Sequence, residues 1–209
     1  MDRSHFPALV SVLLFAAFSG HSLAAQIASV PSPEPDFKLL AAISLCGDVE
    51  CLNAYREKAG STKLARIVYY EKWLLLEPSR TAAEGLLHNI PASESEQSQM
   101  MMLPSWHDDA TKSTKDMESL AGIYQNWPRS IANAVMAFPQ YLPAYIRYGL
   151  LAPNDVHSDY TGNEERVCHN DPARFQAAFD SLDRKTQSRL RKFVFNPEKC
   201  RAIFISESE

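Results

Sequence analysis

The chain has 209 residues, 45% of them hydrophobic, and a formal net charge of −4. That apolar fraction excludes a disordered chain. The mild acidity excludes nucleic acid as the expected partner, because phosphate contacts need a basic surface.

In chain order the first segment is a leader. Phe6 to Phe18 is one apolar run, with Arg3 before it and Ser22-Leu23-Ala24 behind it. A charged start, a short apolar stretch and a small-x-small site form the pattern of a secretory signal peptide, expected over residues 1–24. The run is shorter than the roughly 20 residues a membrane span requires. No later apolar run reaches that length, so no span is expected in the mature chain. Cleavage near Ala24 would release the protein to the periplasm or the exterior. No cysteine follows the site directly, so no lipid anchor is expected there. Residues 25–36 hold Pro31, Pro33 and Pro35 and read as an extended leader. A single domain is expected over residues 37–205.

That domain reads as helices throughout. Glycine is scarce, at seven in the chain, and no apolar/polar alternation marks a strand. Helices are expected at Phe37 to Cys46 and at Val49 to Lys58, the second closed by Gly60. Thr62 to Glu77 opens on Ser61 or Thr62 as cap and carries Leu64, Ile67, Val68, Tyr70, Trp73 and Leu74 on one broad face. Pro78 ends it, and Ser79 to His88 forms the next helix. Ala92 to Gln99 is a polar helix, followed by Met100-Met101-Met102-Leu103. Pro104 to Lys115 reads as a surface loop. Asp116 to Asn126, Pro128 to Phe138, Tyr141 to Leu151, Glu164 to His169, Pro172 to Leu182 and Arg184 to Phe195 complete the helices. Pro197 to Phe204 is a final turn.

The second half repeats with a period of about 44 residues. With Pro128 placed on Pro172, Ile131 falls on Phe175, Ala134 on Ala178, Val135 on Phe179 and Phe138 on Leu182. Those offsets mark one helical face. Ile146 falls on Leu190, Leu151 on Phe195, Ile123 on Val167 and Tyr124 on Cys168. Units at 116–151 and 164–195 would stack as helical pairs that share a core. In length the period resembles HEAT-like repeats, although no family motif is present. The expected fold is therefore all-α: stacked helical pairs, either a HEAT-like solenoid or an irregular helical bundle, stapled by disulfides.

Four cysteines fall after the leader: Cys46, Cys51, Cys168 and Cys200. An even count in an exported chain implies two bridges. The local pairing, Cys46 with Cys51 and Cys168 with Cys200, is preferred among three connectivities. The second bridge would close a loop of about thirty residues, worth ~3 kcal/mol on chain-entropy grounds. Neither a C-x-x-C pair nor a second close Cys/His pair is present, so neither a metal nor any other cofactor is expected.

The most polar segment runs from Asn154 to Glu165. Asp155, His157 and Asp159 alternate there, so an extended loop would turn all three to one side. A metal site or acid–base chemistry would need that geometry; no catalytic residue is expected, and these three are the candidates of the enzyme alternative, with Glu71, Glu77, Glu84, Glu164 and Glu165 merely available as paired carboxylates. The calcium-loop pattern fails, with Tyr160 at the glycine position and Arg166 at the bidentate glutamate. Trp106-His107-Asp108-Asp109 is a second acidic-histidine group in the expected loop. Cys168-His169 would diverge by about 100° on a helix and form no nucleophile–base pair. Neither G-x-S-x-G nor H-E-x-x-H nor a phosphate-binding glycine loop occurs.

Aromatic residues crowd one region: Trp127, Phe138, Tyr141, Tyr145, Tyr148 and Tyr160, with Arg129 and Arg147 among them. Tyr, Trp and Arg dominate binding hot spots. Phe138 and Tyr145 lie on the expected core face. The expected partner-binding residues are Tyr141, Tyr148, Asp155, His157, Asp159, Tyr160 and Glu164. The functional expectation is an exported, non-catalytic protein that binds another protein, such as an immunity protein that blocks a secreted toxin or an envelope enzyme. A cell-envelope hydrolase working from the 154–165 loop and an envelope assembly or stress factor are the rivals.

Overall fold

The computed structural model describes residues 35–105, 114–151 and 157–193. Two units divide the chain, Met1–Pro33 and Glu34–Glu209, and all described residues belong to the second. They form α1 (Phe37–Ser44), α2 (Val49–Asn53), α3 (Arg56–Ala59), α4 (Lys63–Leu76), α5 (Arg80–His88), α6 (Glu94–Ser105), α7 (Thr114–Ala137), a 3₁₀ turn (Pro139–Tyr141), α8 (Leu142–Tyr148), α9 (His157–Asn170), α10 (Pro172–Asp180) and α11 (Arg184–Phe193). Among the described residues there is no strand, so the fold is all-α. No helix among them is long and apolar enough to cross a membrane.

Side-chain caps set where several helices begin. Asp36, Asp48, Thr62, Ser79 and Asp171 each accept a hydrogen bond from the backbone N–H three residues on. Each satisfies a donor that the first helical turn leaves unpaired. Thr62 and Ser79 therefore start α4 and α5 where the sequence places them. The expected helix over Val49 to Lys58 divides in two. Ala54 and Tyr55 donate to Cys51 and Leu52, three residues back, and that tighter turn breaks the α-helical register.

Helix α7 is the hub. It packs against α1, α4, α5, α6, α8 and α9. Its buried stripe is Leu120, Ile123, Trp127, Pro128, Ile131, Ala132, Ala134 and Val135. Two helices were expected here, broken before Pro128, and instead the helix is continuous with Pro128 in its interior. The proline removes the N–H that would reach the Tyr124 carbonyl, at a cost of ~3 kcal/mol. Ile123, Trp127, Ile131 and Val135 straddle it and are 0–1% exposed. Each such side chain contributes roughly 1.5–3 kcal/mol on burial, so together they outweigh the break.

Two further boundaries move for the same reason. Helix α6 runs past Gln99 to Ser105, because Met100 and Leu103 are buried and hold its last turns to the core. Helix α9 starts at His157 rather than Glu164. Residues 106–113, with Trp106, His107, Asp108 and Asp109, lie outside the described residues, as do Leu151's expected counterpart Phe195 and the turn at 197–204.

Four of the aligned apolar pairs are buried. Ile131 and Phe175, Val135 and Phe179, Ile146 and Leu190, and Ile123 and Val167 are all at most 3% exposed. The elements that carry them differ. Pro128 sits inside α7, whereas Pro172 opens α10. A solenoid unit touches its neighbours only, while α7 packs against helices from α1 to α9. The expected stack of equal helical pairs is replaced by packing around one long helix.

Cys46 and Cys51 form a disulfide with Cα atoms 5.5 Å apart, which ties the end of α1 to α2. Cys168 on α9 is buried and disulfide-bonded; Cys200, its expected partner, lies outside the described residues. Close packing of α4 on α5 depends on one glycine. A Cβ at Gly85 would overlap the Tyr70 ring.

Candidate functional site

A groove of about 660 Å³ lies between the end of α4, the start of α5 and the second half of α7. Leu74, Leu75, Ala83, Ala134 and Phe138 make its walls apolar. Leu75 is 46% exposed, unusual for a large apolar side chain in this domain. Asn126, Arg129, Ser130 and Asn133 enter from α7, and Arg80 enters from α5. Spacings of three and four residues put the α7 set on one side of that helix.

The charges in the groove have one sign. Its lining includes two arginines and neither Asp nor Glu. The Arg80 guanidinium lies 5.5 Å from the Phe138 ring centroid and pairs with Glu84 at 3.3 Å on the rim. That pair is largely exposed, so solvent screening leaves it weak and exchangeable. Arg129 is exposed and has no ion-pair partner among the described residues.

Behind the groove stands a buried carboxyl. Glu71 on α4 is 0% exposed, and Ser130 Oγ donates to its Oε1 at 2.6 Å. Its Oε2 has no hydrogen-bond partner among the described residues. Burial pushes the Glu71 carboxyl up to about 7, and the Ser130 hydrogen bond only partly offsets it. A serine held against a carboxylate has the two parts of a nucleophile–base pair. Acyl transfer would also need donors for an oxyanion. Ser130 lies mid-helix, where neighbouring N–H groups are consumed by the α7 ladder, so none is free to hold an oxyanion.

Of the residues expected at a partner surface, the side chains of Tyr141, Tyr148 and Glu164 are among the described ones. Tyr141 is half-buried; its hydroxyl donates to His88 Nε2 at 2.9 Å, since His88 Nδ1 is held by the Glu84 carbonyl at 2.8 Å. Tyr148 is 2% exposed, not on the surface, and its hydroxyl accepts from the Trp127 indole N–H at 3.1 Å. Glu164 is likewise inside, 2% exposed, with Oε1 unpaired among the described residues. Burial, then the charge of Glu165, pushes its carboxyl up to about 8. Glu164 is on α9, which packs along α7, whereas Tyr148 is on α8 with its ring edge-on to Trp127 of α7.

No family model, no curated protein and no solved structure matches this chain.

The backbone of His157 and Asp159 belongs to the first turn of α9 and is helical there, not extended. Asp155 lies outside the described residues, as do the side chains of His157, Asp159 and Tyr160. Cys168 carries no free thiol. Among the described residues, no group of three His, Cys, Asp or Glu side chains is placed to hold a metal.

The groove escaped the sequence because of Pro128. A helix break there separates Asn126 from Arg129, Ser130 and Asn133. On an unbroken helix the same four residues form a polar stripe, and that periodicity was the available signal.

Proposed function

We propose that this is an exported protein whose role is to bind another protein, with the α4–α5/α7 groove as its contact surface. The observation that carries the proposal is the groove itself: an apolar trough with two arginines and no acidic lining residue. Exposed apolar patches with polar rims mark interaction surfaces, and aromatic–arginine clusters supply binding energy. The Cys46–Cys51 bridge suits an oxidising compartment, as does the leader pattern at residues 1–24. An immunity protein that occludes a secreted toxin is the concrete form of this role.

The test uses a photo-crosslinking amino acid at Asn133 in the groove and, as control, at exposed Gln125 on α7. Cells or envelope extract are irradiated, the adduct is identified, and the purified partner is titrated. The expected result is an adduct from position 133 alone and at least tenfold weaker binding by Arg129→Glu. Equal labelling from both positions, or binding unaffected by R129E, refutes the proposal.

A further inference from the structure

The chemistry of the groove narrows what occupies it. We infer that the occupant is a partner segment carrying a carboxylate flanked by apolar side chains, seated with its acid against Arg129 and Arg80. This inference rests on the protein-binding role and specifies its chemistry.

Three observations converge. Arg129 is an exposed cation without an ion-pair partner among the described residues. Arg80 is held only by a solvent-exposed pair with Glu84, which a better-placed carboxylate displaces at little cost. A guanidinium offers planar, two-pronged donation that matches a carboxylate. The surrounding Leu74, Leu75 and Phe138 would strip water from such a pair and strengthen it. A cationic segment would meet two like charges and no counter-charge among the lining residues.

Ser130 adds direction. While Glu71 is ionised, the single hydroxyl proton of Ser130 is committed to it at 2.6 Å, so Ser130 offers lone pairs alone to the groove. A carboxylate is repelled from that point and a donor is welcomed. The segment therefore places its acid at the arginines and an N–H over Ser130.

The test needs no knowledge of the partner. Octanoate, octylamine and octanol, each below its aggregation limit, are titrated into the labelled protein. Backbone amides of residues 126–137 and the arginine Nε–Hε signals are followed by NMR. Octanoate is expected to shift the Arg129 signal saturably and to bind at least tenfold more tightly than octylamine. Arg129→Glu is expected to reverse that order, with circular dichroism confirming an unchanged helix content. Octanoate binding no better than octanol, or an order that R129E leaves unchanged, overturns the inference. The two failures separate cleanly. Carboxylate selectivity without any protein adduct removes the protein-binding role and keeps the groove's chemistry, whereas an adduct without selectivity does the reverse.

Discussion

Replacing Glu71 with glutamine should change how stability depends on pH more than stability itself. In the folded protein the Glu71 carboxyl is raised from 4.5 to about 7. At about 1.4 kcal/mol per pH unit this is about 3 kcal/mol. A carboxyl whose folded pKa is raised contributes stability that is fully present below the unfolded value. That stability is lost as pH rises from about 4.5 through about 7, because the unfolded chain releases its proton first. The amide side chain of the Glu71→Gln variant has no proton to lose. Its oxygen still accepts from Ser130, and its nitrogen lands where Oε2 has no partner. An unsatisfied buried donor costs roughly 1–3 kcal/mol at every pH.

The protonated wild-type carboxyl buries an O–H of its own, so the variant should be at most roughly 1–3 kcal/mol less stable than wild type at pH 4.5 and should close or reverse that gap by pH 8. Urea melts of both proteins across that range measure it. The difference between the two curves isolates Glu71 from the other titrating groups. Those include Glu164, raised to about 8 and acting in the same direction. Burial opposes the shift at Glu96, yet the Ala92 N–H and Lys63 hold that carboxyl below its ordinary value, so it acts in the opposite direction. Parallel curves, with the gap constant from pH 4.5 to 8, would refute the argument that this carboxyl is buried and protonated in the fold.

Three further outcomes are expected. Gly85→Ala should destabilise by roughly 1–3 kcal/mol through overlap with the Tyr70 ring, and adding Tyr70→Ala should recover much of the loss; chemical denaturation of the single and double variants checks both. Removing the Cys46–Cys51 bridge as C46A/C51A should cost only about 2 kcal/mol, because so short a loop constrains the unfolded chain little, and the midpoint of a urea melt reads the change. Pro128→Ala restores the hydrogen bond to the Tyr124 carbonyl but loses a buried ring and gains unfolded-state entropy, so it should raise stability by about 1 kcal/mol; a loss of that size would show that the ring's packing matters more than the missing bond.

Much of the fold could be read from residue chemistry alone. Thr62 and Ser79 mark helix starts because a hydroxyl in that place satisfies an otherwise unpaired N–H. The apolar positions at 131, 135, 175 and 179 are buried because a three-and-four spacing leaves a helix one face to hide. Tyr148 and Glu164 resisted the same logic. A tyrosine or glutamate off the apolar stripe is normally exposed, and only the way α8 and α9 seat against α7 buries them. That seating is tertiary, and no local pattern carries it.

Pro128 shows how one local rule can conceal a site. Proline disfavours a helix interior by ~3 kcal/mol, which justifies a break when only neighbouring residues are weighed. The four buried side chains around it bring more than that, but only once α1, α4 and α9 are in place to cover them. The balance that keeps α7 whole also sets Asn126 beside Arg129, Ser130 and Asn133, and brings Ser130 within 2.6 Å of Glu71. The core that stabilises the helix and the groove that gives it a surface to offer are thus two sides of one element. A variant that breaks α7 at Pro128 would lose the candidate site together with the packing that creates it.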